Sequence, residues 1–183
     1  MIREIVKMGS PVLRREADLI TQFDTPELHQ LVDDLLETMR ANDGAGLAAP
    51  QINISKQVVI FGFDESDFKD EQMAARVKER GPVPLTILIN PVITPLSDEM
   101  EEGLEGCLSI PGLCGMVPRY QAIRYQGFDQ YGKPIDCQVH GFHARVVQHE
   151  CDHLFGKLYI DRMIQIQSLQ YIDVYQQNMA NAE

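Results

Sequence analysis

The sequence predicts a single α+β domain that spans residues 1–183. Three observations support this class: an amphipathic helical pattern near the N-terminus, short apolar runs of strand length through the middle, and helical patterns near the C-terminus. Because the strands and helices fall in separate blocks rather than alternating, the pattern favours α+β over a doubly wound parallel sheet. A chain of 183 residues is long enough to bury a sizeable core in one domain.

The first helix is predicted to begin at Pro26, directly after the capping residue Thr25, and to end before Asp43 and Gly44. Apolar residues then recur at the three-and-four spacing of an amphipathic helix. They are Leu28, Leu31, Val32, Leu35, Leu36 and Met39.

The middle of the chain is predicted to form β structure. Residues 58–61 and 86–89 are short apolar runs, and the charged segment between them, residues 64–80, is predicted to be a solvated surface insertion. Residues 122–128 and 135–139 flank a turn-rich connection, so they are predicted to pair as a hairpin.

Two further helices are predicted in the last quarter of the chain. One covers residues 142–155 and ends at Gly156, because glycine readily takes the left-handed conformation found after a helix. The other follows Arg162, where apolar residues give a mixed helical face.

Charge and composition exclude several classes of function. The formal net charge is −11, which argues against binding nucleic acid or an anionic membrane through a basic surface. No apolar run approaches the roughly 20 residues of a membrane span. The sequence thus predicts a cytoplasmic protein, although an organelle protein that has lost a transit peptide would look the same. Four cysteines are too few for a disulfide scaffold in a chain of this length.

The most informative segment is an H-E-x-x-H motif formed by His149, Glu150 and His153. Residues four apart lie on one face of a helix, so the two imidazoles are predicted to bind one metal ion. Glu150 lies beside them and is predicted to act as the general base and acid.

A tetrahedral metal site needs a third protein ligand, for which Cys107 is the candidate. A thiolate suits iron or zinc. Gly106 allows the backbone to approach closely, and residues 109–112 contain a proline and a glycine that predict an irregular segment rather than a regular strand.

A third segment, GAGLAAPQ at residues 44–51, is rich in small residues that let a substrate backbone come close. Gln51 closes this segment and could donate its amide N–H to a developing oxyanion. Three hypotheses follow: an amidohydrolase, a zincin-like endopeptidase that shares H-E-x-x-H, and a non-catalytic metal-binding protein. Intact Glu150 and Gln51 argue against the last, because binding a metal requires neither.

Three segments together resemble the peptide deformylase family: GAGLAAPQ at 44–51, EGCLS at 105–109 and QHECDHL at 148–154. The order and separation of the segments match that family, and the resemblance extends over most of the chain. It implies antiparallel and mixed sheets packed around a central helix that carries the motif. It also implies removal of the formyl group from N-formylmethionyl peptides.

The resemblance also implies roles for individual residues. Cys107, His149 and His153 would hold the metal, usually Fe2+ in the cell, with Zn2+, Ni2+ or Co2+ as substitutes. Glu150 would be the acid and base, while Gln51 and the backbone N–H of Leu108 would stabilise the tetrahedral intermediate. The residues implied to contact substrate are Ala45, Gly46, Phe142 and Val146.

Two features depart from the family pattern. Some bacterial members dock on the ribosome through a basic C-terminal helix, whereas residues 163–183 contain no Lys or Arg here. Arg145 stands where an apolar residue of the substrate pocket can occur, which predicts a more polar pocket rim.

Overall fold

The computed structural model describes residues 1–63 and 81–181, so the segment predicted as a surface insertion lies outside the described residues. The helices and strands follow one another in this order: α1 (Pro26–Ala41), β1 (Gly46–Ala48), β2 (Val58–Phe63), β3 (Val83–Pro95), β4 (Met100–Cys107), β5 (Ile110–Tyr120), β6 (Ala122–Phe128), β7 (Pro134–His140), α2 (Gly141–Leu154), β8 (Gln170–Tyr171) and α3 (Ile172–Ala180). Short 3-10 helices lie between some of them, notably Ala49–Ile52.

Helix α1 confirms its prediction from the sequence. The side chain of Thr25 accepts a hydrogen bond from the backbone N–H of Leu28, which caps the first turn, and Pro26 occupies the first helical position. Its apolar face buries Leu35 completely and packs against β1 and β2. The helix therefore covers one face of the sheet that leads into the site.

The larger sheet has five antiparallel strands in the order β1-β2-β3-β6-β7. The predicted hairpin is confirmed, because β6 pairs with β7 along its whole length, from Ala122 opposite His140 to Phe128 opposite Pro134. Strand β1 lies at one edge of this sheet, beside the small residues 44–46.

The smaller sheet has the antiparallel order β4-β5-β8, and β4 and β5 form a long hairpin. The predicted irregular segment at residues 109–112 is confirmed in part: β5 begins at Ile110, but Gly112 has φ +78° and the pairing with β4 is irregular here. Cys107 pairs with Ile110 while Gly106 pairs with Cys114, so the register shifts between these pairs. The proline and glycine are accommodated in this bulge, where they do not end the strand.

Helix α2 is central to the fold, as the resemblance implied. It contacts strands of both sheets, among them β1, β2 and β5. Ten of its residues are buried, and Val147 and Leu154 are fully so. Gly156 follows it with φ +69°, which confirms the predicted C-terminal stop. A helix buried on most sides fixes the direction of each of its polar side chains.

The C-terminal region is less helical than predicted. After Arg162 the chain forms the 3-10 helix Ile166–Ser168 and the short strand β8 before α3 begins at Ile172. Helix α3 has no buried residue. Among the described residues, no helix combines the length and the apolar character needed to cross a lipid bilayer.

Candidate active site

The structure brings the three predicted ligands together. Helix α2 carries His149 and His153 on one face, and the end of β4 brings Cys107 to them. One ligand atom from each residue lies within 4.8 Å of the others, and Cys107 Sγ is 3.5 Å from His153 Nε2. The spread of these atoms suits a single ion, since ligands at about 2.0–2.3 Å from a tetrahedral metal are themselves close together.

A buried carboxylate orients the first imidazole. Nδ1 of His149 lies 2.8 Å from Glu105 Oε2, so this nitrogen donates to the carboxylate, and Nε2 is the ring atom that a metal would bind in place of a proton. Burial by itself lowers the pKa of His149, but hydrogen bonds with Cys107 and Glu105 outweigh burial and raise the pKa well above its usual value. Metal-binding histidines in proteins typically donate the N–H of the second ring nitrogen to a carboxylate, as His149 does to Glu105.

An unpaired buried oxygen lies beside the cluster. Glu150 Oε2 is a buried side-chain atom without a hydrogen-bond partner among the described residues, and in His153 it is Nε2, 3.5 Å from Cys107 Sγ, that faces the cluster. Burial holds the pKa of His153 well below its usual value, so the ring is a neutral imidazole. Neutral imidazoles and a cysteine sulfur form the donor set of iron and zinc sites.

Glu150 is enclosed beside the cluster. Only 5% of Glu150 is exposed to solvent. This burial is the main cause that raises the pKa of its carboxyl group to about 7. A carboxyl group with such a pKa can both accept and donate a proton near neutral pH. Gly46 packs directly against the Glu150 carboxylate. A Cβ at position 46 would lie only 2.5 Å from Glu150 Cδ, so the space has room for glycine alone.

Gln51 reaches the same place from the 3-10 helix Ala49–Ile52. Its Oε1 accepts from the backbone N–H of Ala48, which leaves Nε2 directed at Ser109 Oγ, 3.2 Å away, and Cys107 Sγ, 3.5 Å away. Leu108 lies next to Cys107 in the two-residue turn between β4 and β5. Both predicted oxyanion donors are thus close to the sulfur of Cys107.

The residues predicted to contact substrate lie along two neighbouring elements. Ala45 precedes the edge strand β1, and its carbonyl accepts a hydrogen bond from Gly62 N–H. On α2, Phe142 packs edge-on against Phe63 with ring centroids 5.7 Å apart, and Val146 is buried in the same apolar cluster.

A group of buried charges that the sequence did not predict lies behind the three predicted ligands. Arg119 on β5 makes a two-point ion pair with Glu105 and also binds Asp152, which Arg162 binds from the other side. The motif alone does not decide whether Asp152 orients a ligand or faces solvent; in the structure it is buried and paired. Arg145 does not polarise a pocket rim, since its guanidinium is turned toward Glu105.

The remaining cysteines stay apart from the cluster. No disulfide joins the four cysteines, which agrees with the expectation that the chain is not a disulfide scaffold. Cys114 and Cys151 are buried and Cys137 is half-buried. Burial raises the pKa of Cys151 well above its usual value, so this thiol stays protonated although it lies between two motif residues.

An α+β fold with two imidazoles on a buried helix, a cysteine from a neighbouring strand and an enclosed carboxylate defines the class of metal-dependent hydrolases. Comparison with known families narrows this class. The model of the family described as polypeptide deformylase matches residues 2–168. The chain belongs to the peptide deformylase family.

Individual relatives agree with this assignment. The chain is 54% identical over 174 residues to peptide deformylase 1 of Bordetella pertussis, which covers 95% of the chain and 94% of the relative. It is 58% identical over 159 residues to peptide deformylase 2 of Ralstonia nicotianae, covering 87% and 85%.

Solved structures show the same fold. A class I type b peptide deformylase from Acinetobacter baumannii bound to Met-Ala-Ser superimposes with a TM-score of 0.80 at 32% identity, covering 89% of this chain and 99% of that one. A Plasmodium falciparum peptide deformylase in complex with an inhibitor gives a TM-score of 0.72 at 35% identity, with coverages of 88% and 90%.

Proposed function

We propose that Cys107, His149 and His153 bind one divalent metal ion and that Glu150 moves the proton in the reaction. The chain is a peptide deformylase: it removes the formyl group from the N-terminal formylmethionine of nascent polypeptides and releases formate. By likeness to the family the metal in the cell is Fe2+, with Zn2+, Ni2+ or Co2+ as substitutes. When bound, the metal supplies Lewis acidity toward the formyl carbonyl and toward a water molecule.

The protein residues account for the proton balance. The oxygen of one water forms a bond to the formyl carbon while Glu150 takes a proton from that water. The C–N bond then breaks, and Glu150 passes the proton to the departing nitrogen. The products are formic acid, which ionises to formate, and a peptide whose free N-terminal amine can take up the proton so released.

Two donors are proposed to stabilise the negative charge that develops on the formyl oxygen. Gln51 Nε2 is fixed beside Cys107, because the other end of the amide is held by Ala48. The backbone N–H of Leu108 is the second donor. Donors fixed before the reaction stabilise such an oxyanion without reorganising, which is why they are effective.

The substrate peptide is proposed to lie along the edge of β1. Ala45 and Gly46 belong to an edge of the larger sheet, and an extended peptide can pair with a strand edge through its backbone. Phe142 and Val146 would line the space for the methionine side chain, since both lie on α2 before the motif. The Met-Ala-Ser complex of the Acinetobacter relative supports a peptide ligand.

The observation that carries this proposal is the convergence of three ligand atoms within 4.8 Å beside a buried carboxylate. Membership of the deformylase family decides against the zincin-like endopeptidase. A non-catalytic relative would not need Glu150 to be enclosed and unpaired.

The test of activity is formate release from a formyl-Met-Ala-Ser peptide. We expect Glu150→Gln to lower kcat by about 100- to 10,000-fold while the metal content stays that of the wild type, because the amide keeps the shape but cannot take the proton. The control is Glu102→Gln on the exposed part of β4, which should keep full activity. Full activity of Glu150→Gln would disprove the assigned mechanism, and cleavage of unmodified internal peptide bonds would favour the endopeptidase.

The metal itself is tested separately. Protein purified without oxygen is expected to contain about one iron per chain by elemental analysis, and Cys107→Ala is expected to lose it. Retention of iron by Cys107→Ala at wild-type affinity would remove the sulfur from the ligand set.

The setting of the reaction follows from its substrate. Formylmethionyl chains are made where bacterial-type ribosomes work, so we place the protein in the bacterial cytoplasm, in agreement with its bacterial relatives. Docking on the ribosome through α3 is not part of the proposal. This helix contains Asp173 and no basic residue to bind a polyanion.

A further inference from the structure

Arg145 bridges the two elements that supply the metal ligands. It lies on α2 four residues before His149, on the same side of the helix, and only 8% of the residue is exposed. Nη1 donates to Glu105 Oε1 at 2.9 Å and to the carbonyl of Val117 at 2.7 Å, while Nη2 donates to the carbonyl of Glu101 at 2.6 Å. One guanidinium thus connects α2 to β4 at two positions and to β5 at one.

The path of this side chain is shaped by a glycine on β4. A Cβ at Gly103 would lie 2.6 Å from Arg145 Cζ and 2.7 Å from its Nη2, far inside van der Waals contact. The guanidinium therefore lies flat against the strand at a position that only glycine permits. If a side chain at position 103 pushed the Arg145 guanidinium aside, the three hydrogen bonds of the guanidinium would break.

Glu105 connects Arg145 both to His149 and to the strand that carries Cys107. It stands two residues before Cys107 on β4, and its Oε2 accepts from His149 Nδ1. Its Oε1 accepts from Arg145 and from Arg119, so the carboxylate is fixed from two directions. A shift of this carboxylate would turn the His149 ring and displace the strand that ends at Cys107.

We propose that Arg145 is a positioning residue of the metal centre, which sets the distance between Cys107 on β4 and the two histidines on α2. The inference rests on the proposed Cys/His/His site and adds a residue outside the three family motifs. Arg145 does not touch the metal or the substrate; it acts through Glu105 and through the backbone of β4. Its planar guanidinium suits this task, because it can donate in several fixed directions at once.

The test measures Zn2+ affinity of the full-length apoprotein by competition with a chromogenic chelator, together with the visible absorption spectrum of the Co2+ form. The wild type is measured first. For Arg145→Leu we expect affinity to fall by about 10- to 100-fold, as is typical when a residue that orients a metal ligand is removed. The thiolate-to-cobalt band should shift or weaken, because the sulfur no longer sits at the same distance.

A second variant moves the guanidinium without removing it. Gly103→Ala keeps every charge and every donor, but its new Cβ displaces Arg145. We expect the same direction of change in Zn2+ affinity and in the Co2+ spectrum. Arg145→Lys should fall between Arg145→Leu and the wild type, since an ammonium keeps the charge but cannot bridge the same three acceptors. Arg124→Leu, which breaks an exposed ion pair between Arg124 on β6 and Asp136 on β7, is the matched control and should bind Zn2+ like the wild type.

The outcomes separate the two proposals. If folded Arg145→Leu binds Zn2+ as tightly as the wild type with an unchanged Co2+ spectrum, Arg145 has only a structural role and the inference fails while the metal site stands. If Arg145→Leu does not fold, Gly103→Ala decides in the same way. If the wild type itself binds no Zn2+, the proposed metal site falls and this inference with it.

Discussion

At the scale of single residues, Gly46 shows how one glycine can serve a purpose that its sequence context does not reveal. The small residues at 44–51 predicted a place where a substrate backbone comes close. The structure gives Gly46 a second role, because the buried carboxylate of Glu150 occupies the space that a side chain would need. The glycine thus allows the proposed catalytic carboxylate of Glu150 to be packed tightly without a polar partner at Oε2.

We expect Gly46→Ala to lower kcat for formate release by at least about tenfold, because the methyl group would push the Glu150 carboxylate out of place, and small misplacements of a reacting group are costly. The measurement is steady-state kinetics on formyl-Met-Ala-Ser. The effect should be much smaller when Gly46→Ala is introduced into Glu150→Gln, since little proton transfer is left to lose. Additive losses in the double variant would show that Gly46 acts through the substrate backbone alone.

At the scale of elements, the helices differ in what holds them in place. Helix α1 has a complete set of local signals: a capping threonine, a proline in the first turn and an amphipathic face. Helix α2 has no side-chain cap at its N-terminus, and its place is set by burial, by the bond of Arg145 to Glu105 and by the bond of Asp152 to Arg119. Its position therefore depends on the β4–β5 hairpin.

Removing the cap of α1 is expected to cost stability without affecting chemistry. Thr25→Ala deletes the acceptor of the Leu28 N–H bond and should lower the free energy of unfolding by about 1 kcal/mol. Urea titration followed by circular dichroism measures this. Thr21→Ala, an exposed threonine in the preceding loop, should stay within about 0.5 kcal/mol of the wild type. An equal loss in both variants would disprove the capping role.

The attachment of the N-terminal segment to α1 predicts a pH dependence of stability. Burial by itself raises the pKa of Asp34, but hydrogen bonds from the N-terminal amine, Arg3 and Gln30 outweigh it and hold the pKa at about 2. A carboxyl with a lowered pKa stabilises the folded state fully above the ordinary value near 4, and this stabilisation is lost as pH falls toward 2.

We therefore expect Asp34→Asn to lower the free energy of unfolding at pH 7 by about 1–2 kcal/mol, with the difference from the wild type shrinking steadily from pH 4 to pH 2. Urea titrations at pH 7, 4 and 2.5 give the three differences. The exposed neighbour Asp33 supplies the control, because Asp33→Asn should show little difference at any of them. A difference for Asp34→Asn that stays constant with pH would rule out ionisation as its cause.

At the scale of the whole molecule, the candidate site joins both sheets and the helix that lies between them. The larger sheet supplies the edge strand β1, the smaller sheet supplies Cys107, and α2 lies between them with both histidines. A ligand bound by residues from separate elements stabilises only the arrangement in which those elements are assembled.

Metal binding is thus expected to raise the melting temperature of the apoprotein. At a free Zn2+ concentration 100 times the dissociation constant the stabilisation is about 2.7 kcal/mol, which corresponds to about 5–10 °C for a chain of this size. Differential scanning calorimetry with and without Zn2+ measures the shift. Cys107→Ser should lose most of it, whereas Cys114→Ser, a buried cysteine on the paired strand, should keep it. A shift that survives in Cys107→Ser would place the ion elsewhere.

The sequence by itself determined the parts of this protein that depend on neighbours a few residues apart. The bounds of α1 follow from Thr25 and the helical period, and the shared face of His149 and His153 follows from their spacing of four. Only the tertiary structure decided what meets across long separations. Cys107 reaches His153 across 46 positions of chain, Gly46 makes room for Glu150, and Arg145 turns to Glu105 instead of to a pocket. Local spacing fixes the direction of a side chain on its own helix, whereas the distance between elements depends on how sheets and helix pack together.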